Sequence, residues 1–196
     1  MRSDGELTES KPRCWWCGTD PLYVAYHDGE WGVPVHDDRY LFEMLVLEGF
    51  QAGLSWITIL RKRENFRAAF GSFKPEVIAR FNKREVDRLM RNSGIVRNRL
   101  KIEASVSNAQ AYLGVRRDAG SFDRFLWQFT RYQTLRDPRG MTRTRIRATS
   151  PESDRMSKEL STRGFRFVGS TICYSFMQAV GMVDDHTKGC WKYQDR

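Results

Sequence analysis

A mainly helical fold is predicted by three features of the chain. Apolar residues recur at helical spacing over most of its length. Gly and Pro punctuate those stretches where helices would stop or start. No alternating run long enough for a strand survives beyond isolated Val and Ile clusters. At 196 residues the chain is sized for one domain or two small lobes sharing a core. It divides into a polar extension, residues 1–12, and a single unit over residues 13–196.

The elements follow in order. "CWWCGTDPLYVAYHDGEWG", Cys14 to Gly32, mixes Gly, Pro and Asp with aromatic residues and predicts irregular chain around one short helix. "DRYLFEMLVLEGFQAGLSWITILRKRENFRAAF" is strongly apolar and predicts two helices broken at "EGFQAG", where Gly49 and Gly53 lie. Leu41, Met44, Leu45 and Glu48 share one stripe of the first of these. "KPEVIARFNKREVDRLMRN" offers two short helices, with Pro75 suited to a first helical turn. "SGIV" interrupts, and "RNRLKIEASVSNAQAYLGVRRD" resumes helical spacing through Ile102, Val106, Ala109 and Leu113. The reading is helix, tight turn, helix, with Asp118 reached only in a polar loop beyond. "FDRFLWQFTRY" is a further aromatic helix. Arg131, Arg136, Arg139, Arg143, Arg145 and Arg147, interspersed with Pro138 and Gly140, predict a mobile loop. Two last helices follow, stopped by Gly164 and Gly181.

The formal net charge of +9 and a pI near 9.6 favour an anionic partner, nucleic acid or an acidic membrane surface. Residues 1–13 lack the apolar core of a signal peptide, and no apolar run approaches the roughly 18 residues of a membrane span. A cytoplasmic protein without membrane attachment is expected. Four cysteines, Cys14, Cys17, Cys173 and Cys190, could form two disulfides, but a chain of this size does not need such staples. Reduced thiols or metal ligands are the expectation.

His186 and Cys190 stand four apart, a spacing seen in zinc sites, and the other end of the chain supplies Cys14, Cys17 and His27. From spacing alone the natural partner pair is Cys14 with Cys17, as C-x-x-C; the rival is Cys14 with His27. Cys173 lies in the apolar "STICYSFM" and reads as core, while His36 has no cysteine near it and reads as surface. Four protein ligands would leave no open position, so the metal would be structural. Deaminase, metalloprotease and thioredoxin readings fail: "HDGE" and "PRCWWC" each carry one residue too many for the first, H-E-x-x-H is absent, and "CWWC" lacks a preceding strand.

Trp15, Trp16, Trp31 and Trp56 precede residue 57, along with Tyr23, Tyr26 and Tyr40. Such rings fill cores, and they are also what proteins stack on flipped bases. Glu48 sharpens the choice. A carboxylate on that apolar stripe must find a backbone partner at the helix break, take up a proton, or accept from a ligand in an aromatic pocket.

At these residues the sequence resembles the 3-methyladenine DNA glycosylase I family of bacterial base-excision repair. The likeness runs from about Arg13 to Cys190 through "DPLYVAYHDGEWGVP", "LFEMLVLEGFQAGLSWITILRKRENFRAAF", "GIVRNRLKI" and "RGFRFVGSTICYSFMQAVGMVDDH". It implies an all-α, two-lobed helix-hairpin-helix glycosylase fold, with one structural zinc ion joining the N- and C-terminal segments. The implied ligands are Cys14, His27, His186 and Cys190, which leaves Cys17 spare. The implied base pocket is Trp16, Tyr23, Tyr26, Trp31, Glu48 and Trp56, with Glu48 as the catalytic residue, N3-methyladenine as the flipped base and 3-methyladenine as product. The extension before Arg13, the additional Cys17 and the arginine-rich segment depart from the family pattern.

The hairpin "NSGIVRN" can hold phosphate through turn and helix N-terminal N–H groups at Gly94, with Arg97, Arg99 and Lys101 nearby. Gly53 and Leu54 sit at the break between helices and could probe the base stack. Double-stranded alkylated DNA is thus the expected partner, met by a monomer. No aspartate stands after the hairpin where related glycosylases carry a catalytic one. A competing class is a zinc-stapled nucleic-acid-binding module without chemistry.

Overall fold

The structure, a computed structural model, describes residues 11–137 and 140–193. The polar extension expected over residues 1–12 lies outside these apart from Lys11 and Pro12, as do Pro138 and Arg139 of the arginine-rich segment. The predicted helices form: α1 (Pro21–Gly29), α2 (Asp38–Gln51), α3 (Trp56–Ala69), α4 (Pro75–Ile78), α5 (Lys83–Met90), α6 (Arg99–Ala119), α7 (Phe122–Trp127), α8 (Pro151–Thr162) and α9 (Ser170–Ala179). Their starts carry the expected chemistry. Asp20 accepts from the Leu22 and Tyr23 amides, Asn82 from Arg84 and Glu85, and Ser150 with Ser153 forms a reciprocal capping box before α8.

The central element is α2, buried at every position from Leu41 to Phe50 and packed against α3, α6, α7 and α9. A helix with no solvent face is a core rod, so the single stripe read from the sequence understates it. On one hand α4 and α5 pack on α6; on the other α8 packs on α9. The helices thus fall into two groups bridged by α2, around one continuous apolar cluster.

Three local expectations are corrected. Leu135–Arg136 and Val183–Asp184 form a two-residue parallel ladder, β1 with β2, and a bridge joins Met141 to Thr187, so the arginine-rich segment is tied at two points. Helix α6 continues through Asp118, whose carboxylate pairs with Arg117 and Arg163 on the surface. The aromatic helix ends at Trp127 and passes into a 3-10 turn over Gln128–Thr130. Gly181, after α9, shows what a glycine stop can require: its φ is +73°, and a Cβ there would lie 2.3 Å from the Val33 carbonyl carbon and the Pro34 nitrogen.

Candidate active site and metal cluster

Cys14, the residue before the 3-10 turn Trp15–Cys17, meets His27 from the last turn of α1 and His186 and Cys190 from the segment after β2. All four are buried, and their ligand atoms lie within 4.8 Å of one another. Cys14 Sγ is 3.6 Å from His186 Nδ1, and Cys190 Sγ is 3.4 Å from His27 Nε2 and 3.6 Å from His186 Nδ1. The outer contacts also suit a cation. His27 Nδ1 faces the Asp28 carboxylate at 2.7 Å, which leaves Nε2 as the ligand atom, and the Thr187 amide donates to Cys14 Sγ at 3.4 Å. Burial pushes the Cys14 thiol up and the His186 imidazole down, so ionising the thiol without a cation beside it is unfavourable. Two sulfurs and two imidazole nitrogens therefore fit a four-coordinate metal. Cys17 is equally buried but donates its thiol to the Cys14 carbonyl at 3.2 Å, outside the cluster. The C-x-x-C pairing favoured by spacing alone is overturned. Cys173 is core, and His36 is a surface residue stacked on Trp127 with Asp123 at 2.7 Å.

Rings connect this cluster to a cavity of about 330 Å³. Trp31 meets His186 edge-on at 4.7 Å between centroids and Trp16 at 4.8 Å; Trp16 meets Tyr23 at 5.1 Å, and Tyr26 meets Trp56 at 5.5 Å. The cavity is lined by Trp16, Tyr23, Tyr26, Trp31, Glu48 and Trp56, the whole expected base-binding set. Its other walls lie outside that set: Trp15, which the sequence places in the aromatic cluster, and Gln51, Met141, Ile146, Arg147, Ser175, Gln178 and Asp185, which it assigns to no pocket. Asp185 accepts from Tyr174 Oη and Gln178 Nε2, each at 2.7 Å. The "DDH" run before a metal ligand was the available signal, since Asp184 and Asp185 cannot both face the same way along extended chain.

Glu48 is 4% exposed, and its Oε2 has no hydrogen-bond partner among the described residues. Burial alone raises its carboxyl to about 8. The Trp56 indole N–H, on the same cavity, is likewise buried without an acceptor among them. An unused acceptor and an unused donor among aromatic faces are what a planar heterocycle with polar edges would satisfy.

Beside the cavity, residues 52–55 turn from α2 into α3, with Gly53 at φ +81° and Leu54 43% exposed. The hairpin joins α5 to α6 as expected, and a Cβ on Gly94 would stand 3.0 Å from side-chain atoms of Asn65 and Asn92, a tight contact that a larger residue could make only if they moved by a few tenths of an ångström. Its amides are largely occupied: Gly94 donates to Asn92 Oδ1 at 2.8 Å, Ile95 to the Asn92 carbonyl at 3.4 Å, Asn98 to the Val96 carbonyl at 3.0 Å, and Lys101 to the Asn98 cap at 3.2 Å. Arg99 pairs with Asp87 at 2.7 Å; Arg97 is exposed and has no ion pair among the described residues. Lys101 corrects an expectation. It is 8% exposed, and its Nζ donates to the Phe50 and Ala52 carbonyls at 2.8 and 2.6 Å, so it holds the C-terminal end of α2 instead of standing in solvent.

A helical hairpin protein whose aromatic cavity keeps a carboxyl unpartnered has the form of a helical DNA glycosylase. Comparison narrows the class: the sequence pattern of the methyladenine glycosylase family matches residues 16–193. The chain is 51% identical to DNA-3-methyladenine glycosylase 1 of Escherichia coli over 92% of its own length and 96% of that protein. A crystal structure of 3-methyladenine DNA glycosylase I superposes with a TM-score of 0.90 at 52% identity, covering 93% of this chain and all of that one. The Staphylococcus aureus enzyme, solved to describe 3-methyladenine recognition, gives 0.89 at 37% identity, covering 94% and 97%. The chain belongs to the methyladenine glycosylase family.

Proposed function

We propose that this chain is a DNA-3-methyladenine glycosylase that turns the alkylated nucleotide out of duplex DNA into the aromatic cavity and hydrolyses its N-glycosidic bond. The observation that carries the reading is Glu48, a buried carboxyl with an unused oxygen facing a cavity large enough for a base. Family membership and the 3-methyladenine recognised by the S. aureus relative supply the ligand.

Charge selects the base. Alkylation at N3 makes adenine cationic in DNA and weakens its bond to C1′. The faces of Trp16, Tyr26 and Trp56 attract a cation more than a neutral ring. Before a base enters, Glu48 holds a proton at neutral pH. A cationic base lowers that carboxyl again, the proton leaves to solvent, and the carboxylate accepts from the exocyclic amino group. Neutral adenine in DNA offers no charge to the ring faces or to offset ionisation of a buried acid, so it is held less well than the cationic base. When the bond breaks, its electron pair leaves on the base and discharges the cation; water adds to C1′ and loses a proton. Little acid catalysis is required of the protein.

Leu54, on the turn opened by Gly53, fills the stack where the base has left. Arg97, exposed at the hairpin, and Arg99 beside it hold the DNA backbone, while the Gly94 amide stays with Asn92 and shapes the turn. Zinc occupies the Cys14, His27, His186 and Cys190 cluster in a structural role: with no open position, it fixes the wall bearing Trp15 and Trp16. The reaction is monofunctional, because a lyase step needs an amine free to reach C1′, and Lys101 is committed to two backbone carbonyls. The test is chromatography of base released from methylated DNA, with borohydride present in a parallel reaction. Free 3-methyladenine and no trapped adduct are expected. DNA binding without base release would favour the non-enzymatic module, and an adduct would overturn monofunctionality.

A further inference from the structure

Met141, Ile146 and Arg147 line the same cavity as Trp15, so the arginine-rich segment forms part of its rim. Its arginines are of two kinds. Arg136 pairs with Asp184 at 2.9 Å, and Arg147 pairs with Asp137. Arg143 and Arg145 are exposed and make no ion pair among the described residues; the Arg143 guanidinium lies 5.6 Å from the Trp15 ring centroid. The inner arginines thus occupy the local carboxylates, and the outer two keep their charge for something outside the chain. The segment is held in place: β1 pairs with β2, Met141 bridges Thr187, Thr187 in turn contacts the Cys14 thiol, and the Arg145 amide closes a turn onto the Thr142 carbonyl at 3.0 Å.

We propose that Arg143 and Arg145 bind the DNA phosphates on either side of the flipped nucleotide, as a second backbone contact separate from the hairpin. The inference rests on the proposed function. A base inside the cavity carries its own sugar and the two adjoining phosphates to the rim, within a few covalent bonds of the glycosidic nitrogen. Arg143, set over the Trp15 ring at that rim, and Arg145, two residues on in the same turn, are therefore placed to meet phosphate oxygens. A guanidinium lying over an indole presents its N–H edge outward, the geometry for bidentate phosphate recognition. Such contacts read no sequence; they hold the extruded strand while the base is selected inside.

The test measures binding of the full-length chain to an undamaged duplex and to one carrying a tetrahydrofuran abasic analogue, over a series of salt concentrations. In Arg143→Ala/Arg145→Ala the slope of log K against log salt should become shallower by about 2, one for each phosphate that no longer meets a guanidinium. Affinity for free 3-methyladenine and thermal stability should stay at wild-type values, and Arg143→Lys/Arg145→Lys should restore the slope. Arg116→Ala/Arg117→Ala removes the same charge at the far end of α6 and should leave the slope unchanged. An unchanged slope in the rim variant, or an equal change in the α6 variant, overturns the proposal and leaves the segment to an acidic protein partner. Weakened binding of the free base would also overturn it, by placing the segment inside the base pocket. Failure of the wild type to release base is a separate result that removes the glycosylase reading, and the slope on the abasic duplex still reports on the rim.

Discussion

Helix α2 buries two glutamates five residues apart, and they are treated in opposite ways. Glu43, 6% exposed, takes Arg63 at 2.8 Å and Arg67 at 2.7 Å; Arg63 continues to Glu30 at 2.6 Å, which Tyr40 also holds. Glu48 Oε2 takes none among the described residues. One carboxylate is saturated and locks α2 to α3; the other is left open at a cavity wall. Burial by itself therefore says little about a carboxyl's role. What separates the two is whether the protein itself supplies the partners.

The comparison can be broken at its frame first. The Cys14, His27, His186 and Cys190 cluster packs against Trp16 and Trp31 of the cavity; if it holds metal as proposed, Cys190→Ser should lose the metal and with it most of the folding stability of the terminal segments, whereas Cys17→Ser should keep it. Metal content by atomic emission, beside circular dichroism, decides; equal loss in both variants would return Cys17 to the ligand set. At the saturated end, Glu43→Gln leaves Arg63 buried with half its partners and should reduce stability by about 3 to 5 kcal/mol in urea unfolding. The remaining folded fraction should bind 3-methyladenine as wild type does.

At the open end the signs invert. Glu48→Gln should weaken 3-methyladenine binding about 30-fold, about 2 kcal/mol, followed by tryptophan fluorescence. The same change should leave the fold as stable or more so, depending on pH. Glu48 titrates near 8 in the folded chain against an ordinary 4.5, so the folded state retains a proton that the unfolded state gives up. Its contribution is greatest below pH 4.5 and declines as pH rises toward 8, and the variant should lack this decline. A wild-type stability curve parallel to that of the variant between those limits would show that Glu48 ionises freely. The smallest effect is expected at Lys101→Met, which strips a donor from the Phe50 and Ala52 carbonyls and should cost about 1 to 2 kcal/mol. It loosens the turn carrying Leu54 without touching the cavity, so base release from duplex should fall more than affinity for free base.

The helices, the hairpin and Glu48 were legible because each leaves a local trace: spacing, glycine punctuation, or a charge on an apolar stripe. The Cys14, His27, His186 and Cys190 cluster was one of two alternatives that spacing left open, the family resemblance chose it, and only the tertiary path of Cys17 shows its thiol turned back onto the Cys14 carbonyl. Lys101 could not be read. Its neighbours are basic, and its inward course depends on carbonyls about fifty positions earlier in the chain. Asp185 left only the "DDH" run as a trace, and Gln178 reaches the cavity through α9, which no local pattern encodes. A two-residue ladder is too short to establish any periodicity, so β1 and β2 were invisible.

Cys14 and His186 are separated by 172 positions and meet at one cluster. A polypeptide leaving the ribosome at about 5–20 residues per second exposes Trp15 and Trp16 early, but the contacts that pin their wall await Cys190. Competence toward a damaged base therefore arrives late in synthesis and in a single event. A prematurely terminated product carries most of the helices yet lacks two of the four residues that close this cluster.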